Sequence, residues 1–460
     1  MKELIDSIGN IVGQEYVAVD KETLYTYSRD ASPEPGIMAD MVVRPGSVEE
    51  ICEIIKLAND TRTPIWTRGA GTSLVFMGVP LKEGGILLDL TRLNDIIEID
   101  EDSMSVTVEP GITWGKLESK LKKRGWYTGF VGPGPGYTST VGGAVSVASV
   151  MYGSAKYGTA CDILLGLEVV LPTGEIINTG SAALKRYFRH TRYGIGPDIS
   201  GIFCGDNGIM GIKTKITFKL YPYPEHIRYI HYGYDDLSSV INCIWELAKY
   251  RIASDLAVVD NSIGVSWGGK GRFPIHGKVE GVSEKIVDAQ VEFLDKVNSK
   301  YGGKKGKESF PKMILEDKKY EIFPMSGRVG NFGASCNKIP IKRALEFHNM
   351  FTEFMEEYSK EAKKHSIVWE FYAFISGNCI DILPTIMVPT NSKENYEFGR
   401  KLWKELIKRE VNKGAIHYWL GKVIGDVVSD NYKEEYFKFI KNLKYTIDPN
   451  NILNPTLLKL

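Results

Sequence analysis

The sequence predicts an α+β protein built in two parts, and three observations carry that prediction. Short apolar runs in the N-terminal half are punctuated by three clusters of small residues, at 68–74, 132–146 and 205–212. Two prolines, Pro222 and Pro224, then break the pattern. Beyond them, long amphipathic helical patterns alternate with short strands, as in a sheet covered by helices on one side. At 460 residues the chain exceeds one ordinary core, so more than one domain is expected.

Residues 1–40 read as a short helical lead-in and a loop ending in Pro33, Pro35 and Gly36. Met41-Val-Val-Arg-Pro45 reads as a strand stopped by its proline. Ser47 and Glu50 have capping-box spacing, and Val48, Ile51, Ile54, Ile55 and Ala58 fall on one helical face. Residues 63–67 read as a strand, followed directly by Arg68-Gly-Ala-Gly-Thr-Ser-Leu74. Backbone N–H groups without bulky side chains can converge there on a diphosphate, with Arg68, Thr72 and Ser73 adding donors. A tight turn between strands is the competing reading, and the spacing is neither GxGxxG nor GxxxxGK.

Three short strands follow at 86–90, 96–99 and 104–109, then a short amphipathic helix from Thr113. The second cluster, GPGPGYTSTVGGAVS, lets a backbone approach something flat and large, because no Cβ holds it away. Residues 164–171 form an apolar run expected to be a buried strand, closed by the turn Pro172-Thr-Gly-Glu175. A third cluster, Gly205-Asp-Asn-Gly-Ile-Met-Gly-Ile212, enters an alternating strand over 213–220.

Past the prolines, a strand at 226–230 precedes helices over about 237–250 and 283–300. The lysine- and glycine-rich residues 302–307 read as a solvated loop. One long helix is expected over 341–364, strands over 368–374 and 380–388, and helices over about 392–411 and 432–444. The tail reads Ile447-Asp-Pro-Asn-Asn-Ile-Leu-Asn-Pro455.

Lys+Arg and Asp+Glu both number 57, a balance that argues against a generic nucleic-acid binder. The six cysteines form no CxxC pair, so no local zinc or iron–sulfur signature exists, no metal site is expected, and reduced thiols in a cytoplasmic protein are. The opening residues MKELIDSIGNIVG carry acids and no long apolar core, so no signal peptide is expected, and no run of eighteen apolar residues suggests a membrane span.

The three clusters in this order, the strand LLGLEVVLPTGE and the tail DPNNILNP together resemble the FAD-linked oxidoreductases of the vanillyl-alcohol-oxidase/p-cresol-methylhydroxylase superfamily. The resemblance implies a two-subdomain FAD-binding domain over 1–223, an α+β, ferredoxin-like substrate cap over 224–412, and a segment over 413–460 returning to the FAD domain. It implies a pyrophosphate loop of Arg68, Gly69, Ala70, Gly71, Thr72, Ser73 and Leu74. Pro135, Gly136, Thr140, Gly142 and Gly143, with Tyr157 and Gly158 of the AKYG segment, would run along the flavin. Asn207, Gly211 and Ile212 would complete the cradle. Members that attach the flavin through a histidine in the pyrophosphate loop place it where this chain has Thr72; others use a His or Tyr on the cap, for which no residue here is assigned, and non-covalent FAD is the expectation.

Two branches of the superfamily compete. The glycolate/D-lactate dehydrogenase branch resembles residues 155–178, but its His-x-Gly-Asp-Gly-Asn and Gly-Glu-His-Gly metal motifs do not occur here. The phenol-oxidising branch resembles residues 193–203 and 207–212 and the layout from 368 to 425. Tyr418 stands at its first substrate tyrosine, Trp419 where its arginine would be, Val75 or Phe76 at its second tyrosine, and Gly136 at its acid. The remaining candidates for chemistry are His417, Tyr418, Asp381, Tyr152 and Asp206. His417 is a possible general base for a substrate hydroxyl as hydride leaves to flavin N5. A second-shell histidine, packed aromatic rings, a solvent-edge Asp381 and a turn-capping Asp206 are the competing structural readings.

The expected reaction is oxidation of an alcohol, either a hydroxyacid or an aromatic or phenolic alcohol. Electrons would pass to a protein, a quinone or oxygen, and self-association is left open. Two alternatives stand beside it. One is a transferase of the alkylglycerone-phosphate-synthase type, with phosphate held by Arg186, Arg189 or Arg192. The other is an FAD-holding electron-transfer subunit of a larger complex.

Overall fold

The structure is a computed structural model that describes residues 1–263, 269–321 and 330–460. Three sheets organise it. In the first, Val17–Ala18, Met41–Val43, Ile86–Asp89 and Ile65–Arg68 lie in that order, the last three parallel. The helix Val48–Thr61 makes the crossover and buries Ile51, Ile54, Ile55 and Ala58 against this sheet. Its cap forms as the spacing predicts, with Ser47 Oγ accepting from Glu50 N at 3.1 Å. The glutamate reaches one residue further back than a capping box requires, accepting from Gly46 N at 2.6 Å.

The second sheet is antiparallel, in the order Ile96–Asp100, Ser105–Val108, Ile212–Lys219, Leu164–Val170 and Ile176–Asn178. The apolar run expected as a buried strand is Leu164–Val170, covered along nearly its whole length. The helix Trp114–Lys122 lies on this core, its N-terminus capped by Thr113, and Trp114 packs edge-on to Phe130 and stacked on Phe218.

The third sheet forms the cap and is antiparallel throughout. Its order is Lys304–Lys305, His226–Gly233, Ile275–Gly281, Ala253–Val259, Val368–Ser376 and Cys379–Val388. Asn331–Ala334 and Asn337–Pro340 share the far edge of Cys379–Val388, and Ile416–His417 pairs with Asn337–Pro340. The helices Leu237–Ala248, Glu284–Lys300, Ala344–Glu357 and Lys393–Asn412 join one large core with the sheet. A separate core around Val150, Phe374 and Leu383 faces the second small-residue cluster, so the sheet has helices on one side and the N-terminal part on the other.

The structure departs from the sequence reading in three places. The helix expected over 341–364 is a 3-10 turn, Ile341–Arg343, then Ala344–Glu357 and Ser359–Lys364, with a break at Tyr358. The strands Ala253–Val259 and Ile275–Gly281 escaped the hydrophobic pattern because Asp255, Lys278 and Glu280 interrupt it. All three are buried, and Lys278 Nζ lies 3.4 Å from Asp255 and 3.2 Å from Glu280. Within the expected loop 302–307, Lys304–Lys305 pairs with Tyr232 and Gly233 as a short, charged edge strand, a form that resists pairing with other chains.

The tail sews the two N-terminal sheets together. Leu453 bridges Ile65, and Asn454 Oδ1 accepts from Thr67 N at 3.1 Å. Asn454 Nδ2 donates to Thr67 Oγ1 at 3.0 Å and to the Asn207 carbonyl at 3.1 Å. Behind it, the buried Lys444 ammonium donates to Asp448 Oδ2 at 2.5 Å, to the Ile209 carbonyl at 2.8 Å and to the Leu453 carbonyl at 3.0 Å.

Candidate cofactor and active site

A cavity of about 380 Å³ opens where the three small-residue clusters meet the inner face of the cap sheet. Its first wall is the segment after the strand Ile65–Arg68. Among the described residues, the backbone N–H groups of 69–74 donate to no protein acceptor. Six neighbouring donors on one loop form an anion cradle. Buried Asp30 shapes this loop by accepting from Phe76 N at 2.8 Å and Met77 N at 3.1 Å. Arg68 clamps it from behind, Nη1 donating to the Gly78 carbonyl at 2.9 Å and the Arg29 carbonyl at 3.3 Å. Arg68 therefore lines the cavity with part of its guanidinium already committed to the loop, where the sequence suggested a free donor.

The second wall is the short helix Val141–Ser146, whose Thr140 Oγ1 accepts from Gly143 N at 3.4 Å. A Cβ at Gly69 would lie 2.2 Å from that same Thr140 oxygen, so the first two clusters touch only because residue 69 has no side chain. The third wall is held by Asp206, which accepts from Gly208 N at 3.1 Å and Met210 N at 3.3 Å and pairs with buried Lys213. Asp206 thus acts as the turn-capping residue of its competing reading. Asn207, at φ 53°, donates its N–H to the Ser146 carbonyl at 2.7 Å and joins the second wall to the third. The cap closes the cavity with Phe332, Phe374, Leu383, Tyr418 and Trp419.

These surfaces fit FAD. A loop of unpaired N–H groups suits a diphosphate, and glycine-rich walls leave room for flat rings. Two buried cavity-lining side-chain oxygens, Ser139 Oγ and Asn207 Oδ1, have no hydrogen-bond partner among the described residues. When bound, the flavin supplies two-electron acceptance, and the protein contributes orientation and enclosure.

The fold and the cavity define an FAD-linked oxidoreductase with the fold of p-cresol methylhydroxylase. Residues 39–180 match the FAD binding domain family. The chain is 26% identical over 465 residues to a glycolate oxidase subunit of Bacillus subtilis, spanning 99% of this chain and 96% of that protein. It is 24% identical to a D-lactate dehydrogenase of Archaeoglobus fulgidus, over 90% of each chain. Among solved structures, p-cresol methylhydroxylase with substrate bound superposes with a TM-score of 0.86 at 18% identity, covering 100% of this chain and 96% of that one. The 4-ethylphenol oxidase of Gulosibacter chungangensis gives 0.81 at 19% identity, covering 100% and 97%.

Of the residues singled out in the sequence, all of 68–74, with Pro135, Thr140, Gly142, Gly143, Asn207, Gly211, Ile212 and Tyr418, surround this one cavity. Asp206 and six others lie outside its lining. Gly136 faces the cap, since a Cβ there would lie 2.2 Å from the Tyr320 ring. The AKYG segment packs on the cap instead of the cavity. Its helix Ser154–Tyr157 lies against Ala253–Val259 and Val368–Ser376, the Tyr157 hydroxyl is 2.5 Å from that of Tyr127, and Gly158 ends the helix at φ 83°. Tyr152 spends its hydroxyl on the Lys319 carbonyl. Asp381 is fully buried, bonded by Ser376 Oγ and 3.8 Å from Lys338 Nζ, with burial pushing its carboxyl up to about 6. The solvent-edge reading of Asp381 does not hold. His417 is enclosed beside Glu410, its Nε2 3.8 Å from Oε2.

Arg189 and Arg192, considered for a phosphate site, bond to Glu98 and Asp198 and are absent from the cavity lining. Sequence reasoning missed Phe332, Phe374 and Leu383. Phe374 and Leu383 lie in segments expected as strands, but period-two alternation does not tell which face meets a cofactor.

Burial pushes the His417 imidazole down to about 3 and the Glu410 carboxyl up to about 8, so both are neutral at pH 7. The imidazole is buried and is not among the described residues that line the cavity. Because the Glu410 carboxyl is raised, its contribution to stability is complete below the ordinary glutamate range and is lost as pH rises through about 8. Glu410→Gln keeps a side chain that can accept from Ser335 and Asn337, each now 2.8 Å from Oε1. The variant is expected to gain on the order of a few kcal/mol relative to wild type between pH 6 and pH 9. Thermal melts at the two pH values check this, and parallel curves for the two proteins would refute it.

Proposed function

We propose that the protein oxidises an alcohol with an apolar or aromatic body, and that FAD is held without a covalent bond. The cap end of the cavity carries this reading. Its described residues are four apolar or aromatic side chains, Phe332, Phe374, Leu383 and Trp419, with one hydroxyl, Tyr418. A hydroxyacid needs a cation for its carboxylate. The two cations among the described lining residues are Arg68, clamped to its loop, and Lys213, paired with Asp206. No histidine or cysteine occurs among the described lining residues, and their one tyrosine, Tyr418, is assigned here to the substrate, which supports a dissociable flavin.

In this reading the alcohol's body lies against the aromatic residues; FAD, when bound, would supply acceptance of the carbinol hydride, and the hydroxyl proton would leave to water. Burial pushes the Tyr418 phenol pKa well up, so the phenol stays protonated. It orients the substrate oxygen by a hydrogen bond and does not act as a base. The role expected of His417 passes to its neighbour in this altered form.

Anaerobic titration of the holoprotein with benzylic alcohols, glycolate and D-lactate tests the reading. Flavin bleaching by the benzylic alcohols at the lowest concentrations is expected. Preference for glycolate or lactate would overturn the substrate class, and no bleaching by any alcohol would overturn the oxidation. Tyr418→Phe is expected to slow bleaching by about ten- to a hundredfold with flavin content unchanged.

A further inference from the structure

The loop between the strand Ile176–Asn178 and the 3-10 turn Ile199–Phe203 lies outside the cofactor site and has an unusual composition for exposed chain. Over 184–195 it reads LKRYFRHTRYGI, with four fixed cations and no acid. The same stretch exposes Phe188 by 74%, Tyr193 by 63%, Leu184 by 53% and Tyr187 by 42%. A loop that only has to stay dissolved has no physical reason to turn these side chains to water.

The loop is also built, not merely long. Ser181 Oγ donates to the Phe188 carbonyl at 2.6 Å and accepts from His190 N at 3.3 Å, while Ser181 N donates to the Thr191 carbonyl at 2.8 Å. Arg192 forks onto Asp198, with Nη2 2.7 Å from Oδ2, and reaches the Cys161 carbonyl at 2.8 Å. Arg189 lies 3.4 Å from Glu98. These bonds secure the base and leave Lys185 and Arg186 beside the aromatic tip without a carboxylate partner among the described residues.

We propose that this loop docks the protein on an anionic lipid surface. Phe188 and Leu184 enter the headgroup boundary, and Lys185 and Arg186 meet lipid phosphates. Aromatic rings and the stems of basic side chains favour that boundary, and cations gain there from the negative surface potential. Among the described residues no helix is long and apolar enough to cross a membrane, so the attachment is peripheral. A lipid-dissolved electron acceptor would then lie close at hand.

Flotation of the full-length holoprotein with vesicles of phosphatidylcholine alone, or with one-third phosphatidylglycerol, tests this. Binding to the anionic vesicles that weakens at high salt is expected. K185E/R186E and Phe188→Ser should each reduce partitioning by about tenfold or more, with flavin content and solution oxidation rates unchanged. Equal binding to both vesicle types, or no binding, would overturn the proposal. So would a wild-type dimer that Phe188→Ser converts to monomer in light scattering, because the tip would then cover a second copy of the chain.

Discussion

Replacing Gly143 with leucine is expected to give a folded, colourless protein. Gly143 lies in the helix Val141–Ser146 and outside the left-handed region, so a side chain costs its backbone nothing special. A Cβ there would find one neighbour within 4 Å, Thr140 Oγ1 at 3.2 Å, and otherwise open cavity. The leucine therefore occupies the volume where flat rings are expected and disturbs little else. Flavin affinity should fall about a hundredfold or more, a loss comparable to that of several buried contacts, while the melting curve of the flavin-free protein stays close to wild type. Absorbance of the purified variant against wild type, with both proteins melted after flavin removal, separates the outcomes. A yellow variant of normal affinity would place the cofactor elsewhere.

The second large effect is on stability. Lys444→Met removes an ammonium that is almost wholly enclosed and holds three oxygens, those of Ile209, Leu453 and Asp448. Asp448 keeps its bonds from Ile452 N at 3.0 Å and Leu453 N at 2.9 Å but loses its counter-charge. Leaving one buried charge of a pair unmatched typically costs about 3–5 kcal/mol. Denaturant unfolding of the flavin-free protein should show a loss of that size. The double variant K444M/D448N should recover much of it, because no lone charge then stays buried. A single variant within about 1 kcal/mol of wild type would mean that the tail adds little to the fold.

The N-terminal half was largely legible in the sequence because its elements obey local rules. Ser47 and Thr113 cap helices where their spacing says, and Leu164–Val170 is apolar because both its faces are covered. The small-residue clusters showed where a cofactor would lie, since glycine density reports close approach directly. The cap was harder to read. Ala253–Val259 contains Ser254 and Asp255, and Ile275–Gly281 contains His276, Lys278 and Glu280. Their burial is made tolerable by partners far away in sequence, such as Tyr127, whose hydroxyl donates to Glu280 at 3.0 Å. The same distance hid the chemistry. Nothing local distinguishes His417, sealed against Glu410, from Tyr418, which reaches the cavity one residue later.

The seam made by Asn454 has a consequence for biosynthesis. This side chain joins Thr67 of the first wall to Asn207 of the third, yet it follows the whole cap in chain order. A ribosome delivers residues 67 and 207 long before 454, so the nascent N-terminal half emerges without the stitch that unites its two sheets. The joint between the first and third walls of the cavity is thereby completed only after synthesis has passed the tail. Chains interrupted in the cap should accumulate as cofactor-free products, with the Ile65 edge left uncovered for chaperones or proteases to find.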